Sequence, residues 1–173
     1  MKMVNAFIRI GLFTLLTMFV SCGNKQPKRP PIDFSSHSSN VVKIKYDDRD
    51  NNQIWIPVKL NGVTMDVLYD TGFNGTISMS LLELQTLAKQ GRFSEDDILG
   101  TSYSSIADGS IVENGVVRLH TLQIADDIVL QNVNASVAMN QEAPMLIGRE
   151  VFYQVASKVE VDNVNMTLNI TPW

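Results

Sequence analysis

The stretch VLYDTGFNGTISMS, residues 67–80, can be interpreted either as the plain end of a strand or as part of a reactive site. Asp70 follows an apolar run that is typical of a strand, and Gly72 and Gly75 come within five residues of it. The simplest interpretation is a polar turn that closes the strand. The alternative is that Asp70 is one half of a catalytic pair.

The tripeptide Asp70-Thr71-Gly72 contains what a pair of carboxyl groups needs. Two carboxyls held close together cannot both ionise easily, so they share one proton and can both take and give a proton around a water molecule. The glycine lets two such loops approach each other because it has no Cβ. The threonine can hydrogen-bond across the join. Many unrelated turns contain this short string, so the tripeptide alone does not decide.

A second motif lies about 75 residues downstream, where the apolar pair Leu146-Ile147 precedes Gly148. Together with Asp-Thr-Gly it resembles the retropepsin-like aspartic proteases, the single-domain relatives of pepsin. The resemblance extends over roughly residues 41–170. It implies a mostly β fold, half of a closed, orthogonal β-barrel with one or two short helices and one lobe per chain.

The resemblance also implies how an active site is assembled. The chain has a single Asp-Thr-Gly, so Asp70 would be catalytic only in a homodimer, beside Asp70 of a second copy. The residues expected to support the catalytic loop are Thr71, Gly72, Leu146, Ile147 and Gly148. No metal and no cofactor is implied.

A β-hairpin that closes over a peptide or protein substrate, the flap, is expected near residues 101–117, with Ala107, Asp108 and Gly109 at its tip. Two features depart from the retroviral pattern. The flap is not glycine-rich, and Phe73 places a bulky ring where those enzymes carry a small residue. Both departures concern the cleft and the dimer, and neither touches the carboxylate.

Local patterns predict the individual elements. Asn61-Gly62 predicts a tight hairpin between two strands, and Ser80 with Glu83 predicts a capping box that opens a helix over 80–90. A short helix is expected after Gly148, and a hairpin closes the chain. Four further strands are predicted, over 101–107, 111–119, 120–125 and 128–139.

The N-terminus is predicted to be a targeting segment. A basic start is followed by the apolar run Ile10–Val20, which is too short for a comfortable membrane span, so residues 1–21 are predicted to be a signal peptide. The sequence FVSC resembles the lipobox of bacterial lipoproteins, which implies a lipid on Cys22. Residues 22–39 are then a flexible tether, and residues 40–173 form the retropepsin-like domain. An ordinary signal peptide or anchor with an incidental cysteine is the alternative.

Composition excludes several classes of function. The net charge is −4, and it becomes −6 when residues 1–21, which contain Lys2 and Arg9, are removed. This negative charge argues against nucleic acid as a partner, because binding phosphates needs a basic surface. Two histidines and one cysteine provide neither a zinc site nor a disulfide framework. Residues 48–59 begin like a calcium loop but lack its glycine and its final glutamate.

Two hypotheses therefore remain. The first is an aspartic endopeptidase of the bacterial cell envelope, tied to a membrane by lipid on Cys22. The second is a non-catalytic envelope lipoprotein that uses the same groove to bind a peptide or a partner protein.

Overall fold

Short strands joined by tight turns build most of the fold, which a computed structural model describes for residues 41–49, 52–106, 108–139 and 143–173. All of these residues belong to one compact unit, His37–Trp173. Two α-helices lie within them, α1 (Leu81–Lys89) and α2 (Arg149–Val155), with a 3₁₀ turn at Glu95–Asp97. The strands are β1 (Val42–Lys45), β2 (Asp47–Arg49), β3 (Gln53–Leu60), β4 (Val63–Asp70), β5 (Ile77–Ser80), β6 (Ile98–Ser105), β7 (Ile111–Ala125), β8 (Ile128–Ala138), β9 (Leu146–Gly148), β10 (Ala156–Asp162) and β11 (Thr167–Pro172).

The predicted hairpin between β3 and β4 is confirmed. Its turn places Asn61 at φ 50° and Gly62 at φ 84°, the positive values that a two-residue turn of this kind requires. The Asn61 side chain also donates to the carbonyl of Arg92 at 2.7 Å and accepts from the amide of Thr121 at 3.0 Å. The hairpin end is therefore fixed to β7 and to the loop after α1.

Eight strands form one sheet that closes on itself. Their order is β2-β3-β4-β9-β5-β8-β7-β6, and β3 pairs additionally with β7 through Lys59↔Gln123 and Leu60↔Leu122. This last pairing joins β3 to β7 and completes a barrel of six strands, which leaves β2 and β6 as extensions at its two edges. The mostly β, closed-barrel fold expected from the sequence is confirmed.

A separate three-stranded sheet contains both ends of the described chain. Its order is β1-β11-β10, and all its pairings are antiparallel. The β10–β11 hairpin is the closing hairpin that the sequence predicts. Leu168 and Ile170 of β11 are fully buried, so one face of this sheet belongs to the core.

Helix α1 begins as predicted. The Ser80 side chain accepts from the backbone of Glu83, and the Glu83 carboxylate accepts from the backbone of Ser80. Leu84 and Leu87 point into the core. The chain leaves the helix at Gly91, whose φ of +67° is the left-handed conformation that ends many helices.

The prediction for the region of β7 was wrong. The sequence analysis predicted two strands over 111–119 and 120–125, whereas a single strand runs through Leu119 and His120 without a break. No glycine or proline stands at that point to end the strand, although the buried positions shift by one residue there, from Val117 and Leu119 to Leu122 and Ile124. The short strand β2, which pairs with Gln53–Trp55 of β3, was not predicted either.

The signal peptide, Cys22 and the tether lie outside the described residues, as does Ala107. Among the residues that the structure describes, no helix is long and apolar enough to cross a membrane.

A buried carboxylate fastens the loop after α1 to the barrel. Asp97 accepts hydrogen bonds from the amide of Ser94 at 3.1 Å and from its hydroxyl at 3.2 Å, and lies 3.0 Å from Nε2 of His120 on β7. Burial by itself raises the pKa of Asp97, but the Ser94 hydrogen bonds and His120 outweigh it, so this pKa lies below its ordinary value. Asp97 therefore stabilises the fold as an ionised group.

We predict that Asp97→Asn lowers the free energy of unfolding by about 1–3 kcal/mol at neutral pH, because hydrogen bonds to a charged acceptor are lost. The lowered pKa fixes the pH dependence. The stabilisation by Asp97 is complete above the pKa that its carboxyl has in the unfolded chain, about 3.9. It disappears as the pH falls through the lower pKa of the folded protein. Urea unfolding against pH should show wild type and variant converging in acid. The control is Asp96→Asn, at the exposed neighbouring residue. If the free energies of unfolding of wild type and Asp97→Asn differed by the same amount at every pH, Asp97 would not act as an ionised group.

Candidate active site

The structure places Asp70 at the last position of β4, at the edge of the core. Its Oδ1 atom accepts a hydrogen bond from the amide of Gly72 at 2.8 Å, and its carbonyl accepts from the amide of Phe73 at 3.2 Å. The carboxylate is thus held by the backbone of the turn that follows it. An added Cβ on Gly72 would lie 3.2 Å from that same Oδ1, so a glycine suits the tight turn.

The second motif lies directly beside this carboxylate. Strand β9 pairs in parallel with the end of β4, in the register Leu68↔Leu146, Tyr69↔Ile147 and Asp70↔Gly148. Ile147 is fully buried and anchors β9 in the core. The structure therefore brings together the two motifs that the sequence singled out, and it sets Gly148 level with Asp70.

The loop between Asp70 and β5 wraps around the end of β9. Strand β5 pairs with the opposite edge of β9, and the amide of Gly148 donates to the carbonyl of Thr76 at 2.8 Å. A Cβ on Gly148 would lie 2.6 Å from the carbonyl oxygen of Phe73 and would overlap the carbonyl of Gly75. Only glycine lets the loop close this tightly, so the backbone contacts require a glycine at position 148.

The ring of Phe73 packs onto Gly75 of this loop and onto Gly148 at the end of β9. It fills the space that a Cβ on Gly75 would occupy, and its Cδ1 atom would lie 2.7 Å from a Cβ on Gly148. The sequence analysis expected the bulky ring of Phe73 beside the site. The structure shows that this ring covers Gly75 and Gly148. Because neither glycine has a side chain, the ring fits where a small residue was expected.

A further pair of residues joins the two motifs and was missed by the sequence analysis. Arg149 donates from its guanidinium to the side-chain oxygen of Asn74, 75 positions away in the chain. Its amide also lies 3.4 Å from the carbonyl of Phe73. No local pattern marks such a pair, and the only signal was that each residue stands one or two positions beyond a motif glycine.

A groove of about 310 Å³ borders the site, and we call it the Thr71 groove. Tyr69 and Thr71 line it from the end of β4, Phe152 from α2, and Lys158 and Val159 from β10. Tyr69 also meets Phe152 edge to face at 5.0 Å between ring centres. Burial, and then the charge of Tyr153, raise the pKa of Tyr69, so its hydroxyl is a neutral donor at ordinary pH.

The segment predicted to be the flap forms a hairpin of β6 and β7. The two strands pair from Ile98↔Val117 out to Ser105↔Ile111. At its tip, Asp108 accepts from the amide and hydroxyl of Ser110 at 2.8 and 2.7 Å, and Gly109 has a φ of +85°. Tyr103 and Ile111 are 71% and 74% exposed, which leaves apolar surface near the tip uncovered in a single chain.

The site can hold a carboxylate in a fixed place, but one chain supplies only one such loop. Thr71 and Gly72 are exposed beside Asp70. A second copy could therefore approach them without displacing a side chain. Such a half-site on a closed barrel defines a class of protein, the single-lobed aspartic protease fold.

Comparison with known proteins agrees with this class. A family described as Aspartyl protease matches residues 56–151, more than half of the chain, and includes both motifs. The chain therefore belongs to the aspartyl protease family. Among solved structures it is similar to a retropepsin-like aspartic protease from Rickettsia conorii, at 16% identity and a TM-score of 0.53, covering 78% of this chain and 95% of that chain. This likeness shows the fold. No curated protein matches the chain.

We predict that Gly148→Ala destabilises the protein by about 3 kcal/mol, because its Cβ would meet backbone atoms that cannot move aside. The three atoms nearest to a Cβ on Gly75 all belong to the Phe73 ring. Adding Phe73→Ala should therefore restore stability to Gly75→Ala but not to Gly148→Ala.

Denaturant unfolding of the single and double variants checks this difference. Gly62→Ala is the control, because nothing lies within 4 Å of its Cβ and only its positive φ should cost about 1 kcal/mol. Equal rescue of both variants by Phe73→Ala would show that the ring, rather than the loop backbone, limits the space at Gly148.

Proposed function

We propose that the protein is an aspartic endopeptidase that works as a homodimer at the bacterial cell envelope. The observation that carries the proposal is the position of Asp70. It ends β4, accepts the Gly72 amide and lies level with Gly148, so that its carboxylate is held by backbone beside an exposed loop. Membership of the aspartyl protease family supports hydrolysis of a peptide bond.

The proposed mechanism uses one Asp70 from each copy. The ionised carboxylate takes a proton from a water molecule, whose oxygen attacks the scissile carbonyl. The protonated carboxyl gives its proton to the carbonyl oxygen, which stabilises the tetrahedral intermediate. The intermediate then collapses: the carboxyl that took the proton from water gives it to the amide nitrogen, the C–N bond breaks, and a hydroxyl of the intermediate returns a proton to the other carboxylate. The Gly72 amide and Thr71 keep the two carboxyls aligned.

The proposed substrate is an extended peptide that lies between the dimer floor and the flap. A peptide in this position can hydrogen-bond to the flap through its backbone, as an added strand would. The exposed Tyr103 and Ile111 give the flap apolar surface for contact with side chains or with the second flap. Subsite preference then depends on residues of both copies.

A second candidate function is favoured by one observation. A single chain carries only one Asp-Thr-Gly loop, so a copy that stays monomeric has no catalytic pair. Such a copy would be an envelope lipoprotein that binds a peptide or a partner protein in the same groove without cutting it.

We propose that residues 1–21 direct export and that lipid on Cys22 anchors the protein to a membrane, with residues 22–39 as a tether. The lipobox-like FVSC and the position of the lone cysteine support this proposal. The domain is then exposed to the periplasm or to the cell surface.

We predict that Asp70→Asn abolishes peptide cleavage, because neither copy can then provide the ionised carboxylate that activates water. The measurement is cleavage of a diverse peptide library by wild type and variant, from mildly acid to neutral pH and at several protein concentrations. Wild-type rates should rise more steeply than linearly with concentration while the dimer is forming.

The matched control is Asp126→Asn, which removes a carboxylate from an exposed turn far along the chain from both motifs. It should cleave like wild type. Cleavage that survives in Asp70→Asn would contradict the mechanism, and a stable dimer that cuts no peptide would favour the binding function.

We predict that Cys22→Ser abolishes incorporation of radiolabelled palmitate and releases the protein from the membrane fraction. The reason is that the lipid needs the sulfur of Cys22. Labelling of cells that produce each form, followed by fractionation, measures both effects. Ser21→Ala is the control, since it keeps a small residue before the cysteine. Continued labelling of Cys22→Ser would contradict the anchor.

A further inference from the structure

The ring of Phe73 lies on the same face of the sheet as the carboxylate of Asp70. Asp70 and Gly148 are partners in the parallel pairing of β4 with β9, so side chains at these two positions project from one face. A Cβ on Gly148 would lie 2.7 Å from the Cδ1 atom of Phe73. The ring therefore covers β9 on the Asp70 face, and neighbouring strands are only about 4.8 Å apart.

The ring is held in this place by its own loop. The amide of Phe73 donates to the carbonyl of Asp70 at 3.2 Å, and the carbonyl of Phe73 lies 3.4 Å from the amide of Arg149. At the outer end of the ring, Cε2 would lie 2.9 Å from a Cβ on Gly75. The ring thus rests on two glycines, and moving it would disturb the turn that positions Asp70.

Part of the ring remains accessible beside the carboxylate. Phe73 and Asp70 are both partly buried, whereas Gly72 and Asn74, which flank Phe73, are exposed. A molecule that reaches the carboxylate of Asp70 over this face of the sheet therefore also reaches the ring of Phe73.

This position determines which part of a peptide substrate meets the ring. The scissile carbonyl has to lie within hydrogen-bond reach of the Asp70 carboxylate, at about 3 Å. An extended peptide advances about 3.3 Å per residue, so a ring one strand away from Asp70 faces a side chain within about two positions of the scissile bond. Because the ring is fixed, that side chain has to fit the space that the ring leaves.

We propose that Phe73 is a specificity-determining residue, which restricts the substrate side chain beside it to the small ones of Gly, Ala or Ser. We call the space beside the Phe73 ring, over Gly148, the Phe73 subsite. This inference rests on the proposed function and adds the class of substrate. Each copy of a homodimer supplies one Asp70 and one Phe73, so one Phe73 subsite lies on each side of the scissile bond. The expected substrate is a peptide with small residues on both sides of the cleavage point.

An aromatic ring can also attract a large side chain, because aromatic pairs pack favourably. The contacts of Phe73 favour restriction instead. Its ring fills the space over Gly75 and Gly148, so the chain itself occupies the volume that a large substrate side chain would need.

The test begins with the cleavage pattern of the wild type. The full chain, in detergent, is incubated with a diverse peptide library, and mass spectrometry identifies the cut sites. Small residues should be enriched at two positions placed symmetrically about the cleaved bond. One cut peptide is then synthesised again with Leu in place of the small residue at one of these positions. For wild type this exchange should lower kcat/KM about tenfold or more.

Phe73→Ala removes the ring, so it should cleave the Leu peptide to within about threefold of the parent peptide. Phe73→Leu still fills part of the space over the two glycines and should discriminate to an intermediate degree, which provides a second test if Phe73→Ala does not fold. The matched control is Phe93→Ala. It removes the same side chain from a buried position in the loop after α1, where Phe93 lines a different groove, and should keep the wild-type preference.

Three results would overturn the Phe73 subsite: large residues at both positions in the wild-type cut sites, an unchanged preference for small residues in Phe73→Ala, or a wild-type preference for aromatic residues that Phe73→Ala loses. Asp70-dependent cleavage with any of these results would leave the protease function standing.

Binding provides the test if no peptide is cut. A fluorescent peptide array is then probed with Asp70→Asn and with the double variant that also carries Phe73→Ala. Selection of small-residue peptides by Asp70→Asn, lost in the double variant, would support the Phe73 subsite and refute the protease function. Binding without this selection, or no binding, would refute both.

Discussion

The contact between Gly148 and the loop of residues 71–76 is the constraint on which the rest of the site depends. Strand β9 lies between β4 and β5, and the loop that joins those two strands has to pass around its end. The carbonyls of Phe73 and Gly75 approach Gly148 so closely that no side chain fits there. This contact holds the turn after Asp70 in place, and with it the Gly72 amide that binds the carboxylate.

The barrel gives this contact its rigidity. Ile147 is buried between Tyr69 of β4 and Ile77 of β5, so β9 cannot slide along either neighbour. The β3–β7 pairing then closes the sheet behind it. The carboxylate of Asp70 is thus held in a fixed position by backbone contacts, which is what the proposed catalysis would require.

The same arrangement leaves three surfaces of the chain uncovered. The loop that carries Thr71 and Gly72 is exposed, the flap presents uncovered apolar side chains, and β10 ends its sheet with a free edge among the described residues. The Thr71 groove joins two of these surfaces, because Thr71 of the loop and Lys158 and Val159 of β10 line it together. The second copy that we propose would find these surfaces uncovered in a single chain.

The sequence by itself determined the elements whose signals are local. Asn61-Gly62 fixed a hairpin because both positions need positive φ, and Ser80 with Glu83 fixed a helix start because the bonds are made within four residues. Asp-Thr-Gly and Leu-Ile-Gly identified the family through their resemblance to known motifs. The tertiary structure alone decided what depends on distant chain segments: the parallel pairing of β9, the Phe73 ring over two glycines, the Arg149–Asn74 bond and the free edge of β10. Such contacts join residues tens of positions apart, and their geometry is set by how the whole barrel closes, so no short stretch of sequence can specify them.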